Sequence, residues 1–184
     1  MRLFTGIDLD FKTRENVAAL LASFRPMAPL LWSPSENLHI TTKFIGEVPD
    51  EEVEELTAAL QQVPVPKAFT VRLHAFGWFP NPHNPRNFFI GIDAGDSLSN
   101  LALAINKTLF EIGIPTETKP YVPHLTLARV KQANVDLRPL RGAIAALPSV
   151  EFGDFVVPAF HLYLSELQSS VSTYIKLAEF PLSL

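Results

Sequence analysis

Hydrophobic positions along the chain switch repeatedly between runs that suit a strand and spacings that suit a helix. Val17, Leu20, Leu21 and Phe24 recur at helical spacing, which predicts a helix with one buried face. The whole pattern predicts helices at 10–24, 50–60, 97–112 and 138–146. It predicts strands at 3–9, 38–46, 69–79, 87–93, 121–130, 155–164 and 173–180. Strands interleaved with helices, and paired near the C-terminus, indicate an α+β fold with antiparallel or mixed sheets.

The order of elements occurs twice. The motif His39-Ile40-Thr41-Thr42 returns 85 residues later as His124-Leu125-Thr126-Leu127. The segment FTGID at 4–8 returns at the same offset as FIGID at 89–93. We therefore predict a single bilobal domain, residues 1–184, whose halves of about 1–66 and 67–184 are related by a pseudo-two-fold axis.

Each repeated motif offers one histidine and one threonine to the same surface. Successive side chains of a strand alternate between faces, so His39 and Thr41 share one face, as do His124 and Thr126. Two imidazoles and two hydroxyls facing each other suit a phosphate group, because hydroxyls hold its free oxygens and imidazoles serve as acid and base. One such motif alone is uninformative, but packing does not require both residue types in both copies.

Metal binding is the alternative role for two histidines. No third ligand of suitable type and spacing accompanies them, and the chain has no cysteine. We therefore expect no metal and no cofactor. On a regular strand Lys43 follows Thr41 on the cleft face, where the second half has Ala128, and Arg129 points away from His124. The alternative is that the first strand twists or bulges there, so that Lys43 reaches solvent.

Composition limits the class of partner. Hydrophobic residues make up 47% and charged residues 18% of the chain, which is typical of a folded globular protein. The net charge of −4 argues against a surface that tracks a long nucleic acid, so an RNA partner is expected to be bound at an end. The chain opens on an apolar strand-like run, so we expect no signal-like leader, and no apolar run reaches membrane-spanning length. We expect a cytoplasmic protein with no membrane partner, and nothing in the sequence requires more than a monomer.

Four segments carry a resemblance to a known family. They are MRLFTGIDLD, ENLHITTKFIGEVPDEEVEEL, FPNPHNPRNFFIGI and KPYVPHLTLARVK. In this order they resemble the RNA 2′,3′-cyclic phosphodiesterases, also called 2′-5′ RNA ligases, of the two-histidine phosphoesterase superfamily. The resemblance extends over essentially the whole chain and implies a bilobal α+β fold with both motifs facing a central cleft. Thr42 stands where many relatives have leucine.

The resemblance also implies a reaction. It is the metal-free hydrolysis of a 2′,3′-cyclic phosphate at an RNA end to a 2′-phosphate, with His39 as proton donor and His124 as proton acceptor. Thr41 and Thr126 correspond to the phosphate-holding threonines. Arg86 and Arg129 resemble recurrent family positions, and each is a candidate contact to phosphate. The near-symmetry of the halves leaves the acid and base assignment open from the sequence alone. Two other functions stay open: 2′-5′ ligation of RNA ends, and a module that binds RNA ends without turnover.

Overall fold

The helices and strands form close to where the hydrophobic spacing predicts them. The computed structural model describes residues 1–168 and 171–183. In the described residues the strands are β1 (Arg2–Asp8), β2 (Leu31–Trp32), β3 (His39–Glu47), β4 (Phe69–Phe79), β5 (Asn87–Asp93), β6 (His124–Arg129), β7 (Glu151–Val157), β8 (Ala159–Gln168) and β9 (Val171–Pro181). The α-helices in the same residues are α1 (Phe11–Phe24), α2 (Val53–Leu60), α3 (Ser97–Glu111) and α4 (Arg138–Ala145).

The prediction of one strand at 155–164 is wrong, because this segment belongs to two strands, β7 and β8. Pro158 separates β7 from β8. Proline has no backbone N–H to donate to a ladder, so a strand is readily interrupted there. The short β2 was also not predicted, since two residues carry no alternating pattern. It pairs with β6 through Leu31 and Trp32.

The strands form one curled sheet in the order β7-β4-β5-β6-β3-β1-β8-β9, and each pairing between these named strands is antiparallel. β3 and β6 meet in the middle through a single ladder pair, Ile40 with Leu125. Pro158 alone connects β7, at one edge of the sheet, to β8, which lies next to the other edge strand, β9. The sheet must therefore curl to bring β7 and β8 close together. The result is a mixed α+β fold with two repeated halves, as the sequence predicts.

The helices cover the outer surface of the sheet. Asp10 caps α1 by accepting a hydrogen bond from the Thr13 amide at 2.9 Å. α1 packs against β7, while α3 packs against β3 and α2. α1 and α3 thus each pack on a strand from the other half of the sequence, and α2 packs on α3. The division of the chain near residue 66 stays a prediction, and the last two strands, β8 and β9, lie beside β1 of the first half. None of the helices in the described residues is both long and apolar enough to cross a membrane.

Candidate active site

The two repeated motifs lie side by side at the centre of the sheet. His39 begins β3, His124 begins β6, and the ladder pair between these strands joins the second residue of each motif, Ile40 and Leu125. In this antiparallel register the histidine of each motif lies beside the threonine of the other. The four predicted side chains line one cleft of about 380 Å³: His39, Thr41, His124 and Thr126.

Both imidazole rings are oriented by the same backbone contact. Nδ1 of His39 hydrogen-bonds to the carbonyl of Asn37 at 2.7 Å, and Nδ1 of His124 to the carbonyl of Val122 at 2.7 Å. A carbonyl can only accept, so Nδ1 carries the proton in both rings. Nε2 is therefore the nitrogen available for chemistry on each side.

Aromatic rings hold each imidazole in place. The Phe4 ring lies 4.7 Å from His39 and the Phe89 ring 5.3 Å from His124, measured between centroids. Phe4 and Phe89 occupy equivalent positions of the repeat. A second ring packs edge-on against each imidazole at 5.0 Å, from Tyr174 on the His39 side and Phe79 on the His124 side. These contacts limit ring rotation on both sides of the cleft.

Burial makes both imidazoles less basic. It lowers the pKa of His39 to about 4, against the opposing effects of the Asn37 carbonyl and the Asp8 charge. Burial also lowers the pKa of His124. Both rings are thus neutral at pH 7 in the free protein. Nε2 of His39 then accepts from the Thr41 hydroxyl, 3.0 Å away.

A β-bulge in each motif strand reverses the expected alternation of side chains. In the β1–β3 ladder Gly6 pairs with Thr41 and Thr5 with Lys43, so one residue of β3 is skipped. The β5–β6 ladder skips Leu127 in the same way. A bulge places two residues opposite one, which shifts every later side chain to the other face. Both strands accordingly have two consecutive buried positions.

This shift decides which side chains reach the cleft. Lys43 is buried on the other face and donates to Asn106 Oδ1 at 2.7 Å and the Pro115 carbonyl at 2.8 Å. The prediction that it faces the cleft is wrong. Phe44 and Arg129, which are equivalent in the repeat, line the cleft instead. The expectation that Arg129 points away from the site is wrong for the same reason.

The cleft has a positive lining. Three cationic side chains contribute to it, from Arg2, Arg129 and Lys131, and no carboxylate lies among the described residues that line it. In the described part of the chain no group of three His, Asp or Glu side chains is placed to hold a metal ion. Neutral imidazoles, hydroxyls and nearby cations suit a bound anion, since the anion meets donors and no negative charge.

Comparison with known proteins agrees with this site. The family model described as LigT like phosphoesterase matches the chain twice, over residues 7–89 and 90–172. The chain belongs to this phosphoesterase family. The double match coincides with the internal repeat, and it confirms the resemblance that the motifs carry.

Named relatives of this phosphoesterase family match over nearly their full length. An RNA 2′,3′-cyclic phosphodiesterase of Archaeoglobus fulgidus is 32% identical, over 98% of this chain and 99% of the relative. One of Methanocaldococcus jannaschii is 34% identical, over 95% and 96%. The crystal structure of the Thermus thermophilus protein TT0787 superposes with a TM-score of 0.81 at 30% identity, covering 99% of this chain and 98% of that one.

Arg86 lies away from the cleft of this phosphoesterase. It lines a separate cavity together with Arg138 and Arg141, although its neighbour Asn87 pairs with Arg129 across the β5–β6 ladder. The structure therefore separates the two arginines that the resemblance proposes as phosphate contacts. Thr42 points away from the cleft as expected, and its hydroxyl donates to Thr5 Oγ1 at 2.7 Å.

Sequence reasoning missed several residues of the cleft, among them Arg2 and Lys131. One signal was available. The run Leu127-Ala128 places two apolar residues in succession where strict alternation requires one, which is typical of a bulge. In the first half Lys43 takes the place of the alanine and conceals the same irregularity.

Proposed function

We propose that this protein hydrolyses RNA-terminal 2′,3′-cyclic phosphates to 2′-phosphates by acid–base catalysis with two histidines. One observation carries the proposal: two imidazoles with Nδ1 bound to backbone carbonyls offer Nε2 in a single cationic cleft, each beside a threonine hydroxyl. The activity itself is what the Archaeoglobus and Methanocaldococcus relatives are named for.

In the proposed reaction a water oxygen attacks the phosphorus atom and the bond from phosphorus to O3′ breaks. Nε2 of His124 takes the proton of the water, and Nε2–H of His39 donates a proton to the departing O3′. The strained ring needs little further activation, so positioning and charge stabilisation supply most of the rest. The product keeps its phosphate on O2′.

Substrate binding supplies the charged imidazole that this reaction needs. Both rings are neutral at pH 7 in the free protein, and an anion beside a histidine favours its charged form. A cyclic phosphate placed between the two rings raises their pKa values, so a proton taken up with the substrate provides the acid. The hydroxyls of Thr41 and Thr126 and the guanidinium of Arg129 are the proposed contacts to the free phosphate oxygens.

The nucleoside part of the substrate has an aromatic surface available. The Phe44 ring is 57% exposed and lines the cleft beside the motifs. Aromatic side chains stack on unpaired RNA bases with little sequence preference. A short cleft with one exposed ring and three cations supports recognition of an RNA end or a nucleotide.

The test is turnover of a nucleoside 2′,3′-cyclic phosphate, followed by phosphorus NMR against authentic 2′- and 3′-monophosphates. We expect the 2′-phosphate, at a rate that EDTA does not change. A 3′-phosphate would contradict the assignment of the departing oxygen. Loss of activity in EDTA and its recovery with zinc or manganese would support metal catalysis. Binding without turnover would favour an RNA-end binding module, and joining of a cyclic-phosphate end to a 5′-hydroxyl end would favour ligation.

A further inference from the structure

Beyond their one ladder pair, β3 and β6 are joined by the segment that precedes β6. This segment, residues 115–123, continues alongside β3 without forming a ladder with it. Three contacts fasten it to β3: Lys43 Nζ to the Pro115 carbonyl at 2.8 Å, the Phe44 amide to Glu117 Oε1 at 3.2 Å, and the Tyr121 hydroxyl to the Thr41 carbonyl at 2.9 Å. We call residues 115–123 the strap.

Tyr121 occupies a special place in the strap because it contacts the first motif and directly precedes the residue that contacts the second. Its hydroxyl donates to the backbone carbonyl of Thr41, in the first motif. The next residue, Val122, supplies the carbonyl that accepts from Nδ1 of His124, in the second motif. The carbonyl of Pro123 in turn accepts from the Ile92 amide at 3.3 Å. Two consecutive residues, Tyr121 and Val122, thus connect the backbone of the first motif to the histidine of the second.

The first motif is held differently. The turn that carries the Asn37 carbonyl is fixed by Arg14, which donates to the Ser35 carbonyl at 2.6 Å. The repeat position of Tyr121 is Glu36, which bonds only to its neighbour Ser35 in the described contacts. Loss of the Tyr121 hydroxyl should therefore affect His124 far more than His39.

We propose that Tyr121 is a positioning residue, which sets the orientation of His124 relative to the Thr41 side of the cleft through the strap. The proposal deepens the two-histidine function and rests on it. Tyr121 does not act as an acid or base itself, because burial raises the pKa of its phenol and keeps it a neutral donor. If Tyr121 lacks its hydroxyl, the Thr41 carbonyl loses a hydrogen-bond donor. The backbone at Val122 then loses its nearest attachment to β3.

The substitution that tests this is Tyr121→Phe, which removes only the hydroxyl. We expect kcat to fall about tenfold with KM within about twofold, because misplacement of a reacting group slows the chemical step more than it weakens binding. The control is Ser23→Ala, which removes an exposed hydroxyl that donates to the Leu20 carbonyl at 2.7 Å. Kinetics of the control should match those of the unmodified protein.

Nitrogen-15 NMR of the histidine rings provides a readout that activity does not. In the unmodified protein both rings should carry the proton on Nδ1 at neutral pH. In Tyr121→Phe the ring of His124 should populate the Nε2–H tautomer, while that of His39 keeps Nδ1–H. Unchanged ring signals and unchanged kcat would overturn the proposal. Equal changes at both histidines would overturn it as well, since they would indicate general loosening.

Lys43→Met gives a second route to the same test. It keeps the buried stem and removes the amino group that holds Pro115, so the same selective change at His124 is expected. If Tyr121→Phe does not fold, the His124 tautomer in Lys43→Met tests whether the strap orients this ring. Absence of turnover in the unmodified protein would reject the proposed function, whereas the ring tautomers would still decide whether the strap orients His124.

Discussion

Replacing Arg129 with alanine should lower kcat/KM for a nucleoside 2′,3′-cyclic phosphate by about thirtyfold. The Arg129 side chain lines the cleft, and for a contact between the guanidinium and a bound phosphate we take about 5 Å between the charge centres. At that separation and an effective dielectric constant of about 20, one charge pair contributes about 3 kcal/mol. Exposure to solvent weakens the interaction, and we expect about 2 kcal/mol of it to remain. A loss of about 2 kcal/mol corresponds to the thirtyfold change in kcat/KM.

Arg86→Ala is the matched control for this prediction. The two arginines lie at the same end of neighbouring strands, but Arg86 lines the separate cavity. We expect Arg86→Ala to stay within about twofold of the unmodified protein, and the defect of Arg129→Ala to shrink as salt rises. The two variants and the unmodified protein are compared by their initial rates at several salt concentrations, from low to moderate. Equal effects of the two changes, or none at Arg129, would refute the bulge-based assignment of the cleft face.

Three further outcomes follow from the two histidines. His39→Ala and His124→Ala should each lower kcat by a factor on the order of 10²–10⁴. The double variant should lose far less activity than the product of the two single factors, because the histidines act together. The control is His74→Ala, which removes a ring that pairs with Glu151 and should retain activity. Because the pKa values of both free imidazoles are lowered, kcat/KM, which reports the free protein, should already decline above pH 6.5. The decline of kcat, which reports the substrate complex, should come at higher pH. A kcat/KM that rises up to pH 8 would contradict this prediction. The lowered pKa of His39, about 4, should reduce the free energy of unfolding as pH falls from 6.5 towards 4, because the unfolded chain then binds a proton that the folded protein does not. Urea unfolding should show a decrease on the order of 2 kcal/mol over this range. The decrease should be smaller in His39→Gln.

The sequence by itself determined most of the elements of this protein and the residue types that its two motifs offer to the cleft. Val17, Leu21 and Phe24 recur at helical spacing, and their burial in α1 requires nothing more than that spacing. The offset between His39 and His124 showed the duplication, because a whole-chain repeat is visible without any structure. The shared face of His39 and Thr41 also followed from local geometry, since the alternation of a strand holds over two residues whatever the strand pairs with.

Only the tertiary structure decided the surroundings of the site. A bulge forms against a partner strand, so the change of face at Lys43 and Arg129 is a property of the β1–β3 and β5–β6 ladders and not of either strand alone. The lowered pKa of His39 likewise depends on burial by distant parts of the chain. The contact of Tyr121 with Thr41 joins residues 80 positions apart. Local rules specify periodicity and residue type, whereas side-chain direction beyond a bulge, burial and cross-strand contacts arise only when the strands come together.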